Sequence, residues 1–220
     1  VNTVPSRLST PARQSADDTR ARIISAALDT LREEGIVGAT ARAIARRGEF
    51  NQALIFYHFG GVTDLLVASA VREGEQRAAR YKEQLEAVDN LSDLVTVARD
   101  LHEAEVAEGG HNVLSQLLAG AASSPELRAG LMQSFRPWMQ LVEDAVDRVL
   151  ARTPYHGVVR AEDLAYAITS LFIGVELMQT LDPDKGTELF GTFAALATVL
   201  EAMLGSTAPA KPIKSKKSRT

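Results

Sequence analysis

The sequence predicts an all-α protein. Three observations carry that expectation. No strand-like alternation of apolar and polar residues persists along the chain. Ala and Leu are plentiful while aromatic residues make up only 5% of the whole, a balance that favours helices. Strong punctuation recurs at intervals that suit helices, at Gly60-Gly61, Ser124-Pro125-Glu126 and Asp182-Pro183-Asp184. With 220 residues and 45% hydrophobic content, the chain can bury a substantial core.

Taken in order, residues 1–15 are rich in Ser, Thr, Pro and Arg and are expected to be disordered. Ser15 with Asp18 forms a capping box for a first helix. Residues 16–61 then read as a compact three-helix unit. Thr40 is the N-cap of a second helix through Arg42, Ala43, Ile44, Ala45 and Arg46. Gly48 is expected to end it in a left-handed conformation. Phe50 plugs the turn, and Asn51 caps a third helix from Gln52 to about His58. Ile55 and Phe59 face inward, which leaves Gln52, Ala53, Leu54, Phe56 and Tyr57 facing out.

Exposed aromatics and a Leu on so short a helix imply a partner surface. Two short helices joined by a tight turn are the outline of a helix-turn-helix, which places its second helix in the DNA major groove. The expected DNA contacts are Arg42, Asn51, Gln52, Ala53, Leu54, Phe56, Tyr57 and His58. Tyr57 suits a phosphate, Asn51 and Gln52 suit bases or phosphates, and Leu54 suits a thymine methyl. Arg20, Arg22, Arg46 and Arg47 add basic groups near that face, with Arg7 and Arg13 in the leading tail. A net charge of −4 argues mildly against indiscriminate binding to nucleic acid and would suit an acidic soluble protein with no DNA partner, but the acids lie largely outside this stretch, which favours the DNA-binding reading.

The same residues resemble the TetR family of bacterial transcriptional regulators. Thr19–Leu28 is similar to that family's first helix, and Gly35-Ile36 to its glycine-led break. Thr40, Ile44-Ala45, Tyr57-His58-Phe59 and Leu65-Leu66 fall at the family's spacing without a gap, so the resemblance covers residues 19–66. It departs in the turn, where Gly48 stands one place early and Glu49 occupies the usual glycine position. It departs again at Gly60 and Val62, where the family commonly has lysines. The lost ammonium groups weaken phosphate clamping. The resemblance implies a homodimeric regulator, commonly a repressor, released from an operator when a small molecule binds its larger C-terminal domain.

That domain is expected over residues 62–205, with a basic flexible tail at 206–220. Its helices are placed near 64–87, 92–108, 112–122, 125–152, 161–181 and 187–204. The last two carry more apolar surface than one core face needs, through Ile168, Leu171, Phe172 and Val175, and through Phe190, Phe193, Ala197 and Leu200. A dimer through a four-helix bundle would bury it, with Gly174 allowing close approach, although a monomer could wrap both helices in a large core.

A sensor needs a pocket. The candidate lining residues are His102, Glu105, Gln116, Phe135, Trp138 and Met139, around a kink expected at Pro137. Each of these could equally fill a core. Enzyme readings find little support. No Gly-x-Ser-x-Gly, phosphate loop or dinucleotide fingerprint is present. Glu108-Gly109-Gly110-His111 has metal-ligand spacing, but its glycines break the helix such a motif requires. Cys is absent, which removes disulfides, thiolate sites and Cys nucleophiles. No apolar run approaches a membrane span.

The expectation is therefore a cytoplasmic, non-enzymatic transcriptional regulator of all-α fold. Its partners are double-stranded DNA, a small-molecule effector and a second copy of itself, with no cofactor, metal or membrane. The alternatives are a ligand-independent DNA-binding protein and a helical-bundle enzyme.

Overall fold

A computed structural model describes residues 11–179 and 181–206. The described residues fold into nine helices: α1 Pro11–Gly38, α2 Ala41–Arg47, α3 Ala53–Phe59, α4 Val62–Glu86, α5 Leu91–Glu108, α6 Gly110–Ala121, α7 Pro125–Leu150, α8 Ala161–Gln179 and α9 Pro183–Ser206. The all-α expectation holds. The two tails fall outside the described residues, except that 11–15 belong to α1 and Ser206 ends α9. Ser15 is thus not a cap. It sits inside α1, where its backbone carbonyl accepts a hydrogen bond from the Thr19 hydroxyl.

Several boundaries follow from local chemistry. Thr40 caps α2 with its hydroxyl accepting from the Ala43 N–H at 3.2 Å. At the break in α1, Gly35 has φ 70°, a conformation that glycine adopts without steric cost. Ser124 caps α7, its hydroxyl accepting from the Leu127 N–H. Asp182-Pro183 is more than a stop signal. The Asp182 carboxylate accepts from the Lys185 N–H and Pro183 opens α9, four residues earlier than expected. α7 runs as one helix through Pro137.

The chain divides into two compact units. The first takes the chain up to Arg80 together with Ala104–Trp138, and the second takes Tyr81–Glu103 together with the chain from Met139. In the first unit one apolar core joins Ile23, Ala27 and Leu31 of α1 to Ile44 of α2, Ile55 of α3 and Leu65 of α4. Val113 and Leu117 of α6 and Leu127 and Leu131 of α7 complete it. The helix-turn-helix expected over 16–61 therefore shares its core with α4, α6 and the first half of α7. Burying a Leu or Ile side chain here contributes about 1.5–3 kcal/mol, so α3 is positioned by packing far more than by helix propensity.

In the second unit, Arg148 on α7 donates to the backbone carbonyls of Leu85 and Val88, satisfying the end of α4. Ser92 at the start of α5 is held by Glu201 of α9. α8 and α9 pack side by side.

Candidate nucleic-acid interface and effector cavity

The turn between α2 and α3 differs from the expectation in one instructive way. Gly48 has φ −84°, and the left-handed residue is its neighbour Glu49 at φ 53°. Gly48 is required for space instead. A Cβ there would lie 2.2 Å from the Phe50 ring and 2.9 Å from the Ala26 side chain. Phe50 thus covers Gly48, and Glu49 takes the backbone turn that a glycine usually takes.

α3 is held from three sides. Ile55 is fully buried, Phe59 packs against the same core, and Asn51 accepts from the Ala53 N–H at 2.9 Å. Arg20 of α1 reaches the far end of the helix. Its guanidinium donates to the His58 carbonyl and lies 4.3 Å from the centre of the Phe59 ring. That carbonyl is one of the acceptors a helix C-terminus leaves unsatisfied, so Arg20 fixes the orientation of α3.

The outward face of α3 carries Tyr57, which is 82% exposed, and Phe56, 53% exposed. Asn51, Gln52 and Ala53 are exposed beside them, as is Arg42 on α2. Two residues of the expected set stand differently. Leu54 does not face out: it is half-buried and packs against the core, so its apolar surface is already in use. His58 is also half-buried, with its ring edge-on to Tyr57 at 4.9 Å.

The basic groups around this face are mostly committed within the chain. Arg47 makes a two-pronged pair with Glu33 at 2.8 and 2.6 Å, and Arg46 pairs with Glu34 at 2.9 Å. Donating to the Glu33 carboxylate holds the Arg47 guanidinium above its ordinary pKa. Arg22 lies 5.7 Å over Phe50. Among the described residues Arg42 has no such carboxylate. It is the residue best placed to offer a free positive charge.

The expected effector residues do not line one site. Gln116 of α6 is a strut: its side-chain oxygen accepts from the Ile36 N–H at 2.8 Å, beside the break at Gly35. Glu105 is paired with Arg77 at 2.8 Å. Phe135 borders a space of only about 30 Å³. Trp138 is buried, and Met139 borders an acidic recess with Glu143, Glu162 and Asp163. Phe135 and Trp138 belong to the first unit, whereas Met139 and His102 belong to the second.

A larger cavity, of about 280 Å³, lies elsewhere in the second unit, between α5, α8 and α9. Its walls are apolar throughout, with Leu94 and Ala98 from α5, Phe172 and Val175 from α8, and Phe190 and Phe193 from α9. His102 is fully buried next to it. Its Nδ1 lies 2.6 Å from the Glu176 carboxylate, and its ring stacks on Phe190 at 4.9 Å. The sequence reading missed Glu176 and Gln179. The available signal was two polar residues, three apart, interrupting an otherwise apolar helix.

Known proteins resemble the chain in the same places. Residues 23–68 match the tetR family of bacterial regulatory proteins. Over 191 residues the chain is 25% identical to the HTH-type transcriptional regulator UidR of Escherichia coli, covering 86% of this chain and 93% of that one. Salmonella enterica GusR superposes with a TM-score of 0.69 at 19% identity, over 91% of this chain and all of the other. FadR from Bacillus subtilis, solved in complex with stearoyl-CoA, superposes with a TM-score of 0.66 at 15% identity, over 80% and 96% of the two chains. Residues 23–68, which hold the helix-turn-helix, thus carry the similarity to the tetR family of bacterial regulatory proteins, and the nine described helices follow the fold of these solved regulators.

Proposed function

We propose that this regulator is a homodimeric repressor, acting in the cytoplasm, that leaves its operator when a small molecule enters the second unit. The observation that carries the DNA half of this reading is the outward face of α3. A Tyr that is 82% exposed beside a half-exposed Phe, on a helix pinned by Ile55 and Arg20, is a surface built for a partner. In this reading Tyr57 and Phe56 meet the backbone, Asn51, Gln52 and Ala53 meet base edges or phosphates, and Arg42 meets a phosphate. His58 supports Tyr57 from behind. Leu54, packed on the core, has no part in base contact.

Dimerisation is supported by the last two helices. Leu171, Met178, Leu196, Val199 and Met203 are each more than half exposed on one protomer. A Cβ at Gly174 would meet nothing within 4 Å, which leaves room for a facing helix. One seven-residue recognition helix makes few base contacts, so two copies reading two half-sites supply the specificity. The effector half rests on the 280 Å³ apolar cavity, and FadR's acyl-CoA complex is a precedent for an apolar chain in this fold.

The test is selection of bound duplexes from a random DNA pool by the full chain. The expected result is a two-fold symmetric site whose enrichment is lost in Tyr57→Ala. Enrichment of a lone half-site by a monomer, or no enrichment, would refute the reading.

A further inference from the structure

The end of α1 is held on two sides within the first unit. On one side stands α6. Gly35 leaves the helical conformation at φ 70°, and the next N–H, that of Ile36, donates to Oε1 of Gln116 at 2.8 Å. Only the oxygen of the side-chain amide can accept from an N–H, so chemistry fixes which way that amide points. Gly120 lies one helical turn beyond Gln116 on the same face of α6 and receives the Ile36 side chain. A Cβ at Gly120 would lie 2.9 Å from Ile36 Cγ1 and 3.0 Å from its Cδ1. Backbone and side chain of Ile36 are thus both seated on α6.

On the other side stands α2. Glu33 accepts the two-pronged pair from Arg47, and Glu34 pairs with Arg46 at 2.9 Å. Residues 37–40 alone join Ile36 to the first residue of α2. A short link and a two-pronged clasp leave α2 little freedom against the end of α1. α3 follows α2 through the turn at Phe50, whose N–H donates to the Ala45 carbonyl at 3.0 Å. The shared apolar core holds all these helices together, but apolar attraction has no direction. The Gln116 hydrogen bond and the socket at Gly120 do have one.

We infer that Gln116 is a positioning residue for operator recognition: by seating Ile36 on α6 it fixes the direction in which the helix-turn-helix presents α3. The inference rests on the proposed two-fold operator reading and deepens it, naming a residue outside the helix-turn-helix that aims it. In a two-fold complex both copies of α3 must meet their half-sites at once. Moving the half-sites apart by one base pair shifts them by about 3.4 Å and rotates one against the other by about 35°. A firmly aimed reader rejects that change, and a loosely aimed one follows it.

The test uses the full chain and the duplex it selects from a random pool, with the half-site spacing then lengthened or shortened by single base pairs. Fluorescence anisotropy gives the affinity at each spacing, and thermal melting is followed in parallel. The parent should lose about tenfold or more at the first step, whereas Gln116→Leu should lose only about threefold from a lower starting affinity. Gln116→Glu keeps an acceptor for the Ile36 N–H and should restore the steep profile. Gly120→Ala wedges Ile36 away from α6 and should flatten the profile as Gln116→Leu does; it decides the matter should the Leu variant fold poorly. A profile as steep as the parent's in both of these variants, with affinity and melting temperature falling together, would make Gln116 structural and overturn the inference alone. So would a flat profile in Gln116→Glu, or in the parent itself. A parent that selects no two-fold duplex would refute the proposed function and this inference with it.

Discussion

The two units treat their apolar residues differently. In the first, Ile23, Leu31, Ile44, Ile55 and Leu65 are all completely buried by the chain's own helices, and the exposed aromatics are the neighbours Phe56 and Tyr57 on α3, with Val37, Val106 and Met132 exposed singly elsewhere. In the second, α8 and α9 leave Leu171, Met178, Leu196, Val199 and Met203 largely in water. The first unit is closed around its core and spends two aromatics on one small outward face. The second is open along two helices. A closed unit is stabilised by itself. An open one gains stability from whatever covers it, so substitutions in the two regions should fail in different ways.

The largest effect is expected where the second unit is open. Leu171→Asp changes a residue that is 55% exposed on one protomer, so the fold of that protomer should tolerate it. In a dimer the same carboxylate would be buried without a partner, at a cost of several kcal/mol. Analytical ultracentrifugation should find a folded monomer. Phe193→Asp, at a half-buried residue packed edge-on to Phe190, should in addition lower the melting temperature. A dimer of unaltered stability for both variants would mean that α8 and α9 are covered by something other than a second copy.

Tyr57→Ala tests the closed unit. The ring is mostly in water and lies edge-on to the half-buried His58, so the melting temperature should move little. Operator affinity should fall by about 1–3 kcal/mol if the ring meets DNA. Unfolding with no separable loss of DNA binding would place Tyr57 among the structural residues and remove the outward face on which the comparison depends.

How much of this was legible in the sequence follows the same division. In the N-terminal unit, local signals specify local structure. The Thr40 cap, the Asn51 turn and the inward Ile55 can each be read from a few neighbours, whereas Gly48, expected to be left-handed, is needed for space against Phe50 and the distant Ala26. What failed there depended on distant residues. Leu54 was expected outside because the third helix alone cannot reveal the core that it meets. Arg46 and Arg47 read only as basic groups near the DNA face, because their carboxylate partners, Glu34 and Glu33, lie on another helix. In the C-terminal part, helix positions were legible to within about four residues because Pro and Ser mark the ends. The pocket was not. A cavity is a relation among α5, α8 and α9, and no spacing within one of them encodes it. Pro137, the local feature that suggested a pocket, sits in a helix that continues through it.

Arg42 sharpens the electrostatic side of the comparison. It is exposed and uncommitted, whereas Arg47 is held by Glu33 in a two-pronged pair. Arg42→Ala should weaken all DNA sequences alike and reduce the slope of log affinity against log salt by about one. Arg47→Ala should change that slope much less and act on the joint between α1 and α2, because its charge is already balanced. Binding titrations at several salt concentrations distinguish the two. Equal slopes for both variants would mean that Arg47 abandons Glu33 on the operator.

The smallest expected effect comes from Glu49, where the closed unit holds a non-glycine residue at φ 53°. The left-handed conformation costs an L residue about 1 kcal/mol, which Glu49→Gly would relieve. Glycine also widens the freedom of the unfolded chain and loses part of that gain, so the net stabilisation should be below about 1 kcal/mol. Glu49 is exposed in the turn that leads into α3, and in the proposed complex its charge would oppose nearby phosphates. Two effects are therefore combined in one residue, and two variants separate them. Glu49→Gln removes the charge and keeps the strain, so operator affinity should rise slightly with no change in melting temperature. Glu49→Gly removes both, so affinity and melting temperature should rise together. A Gly variant that melts lower than the parent would show that the turn is held without strain by the packing of Phe50 over Gly48, and that only the charge of Glu49 matters to function.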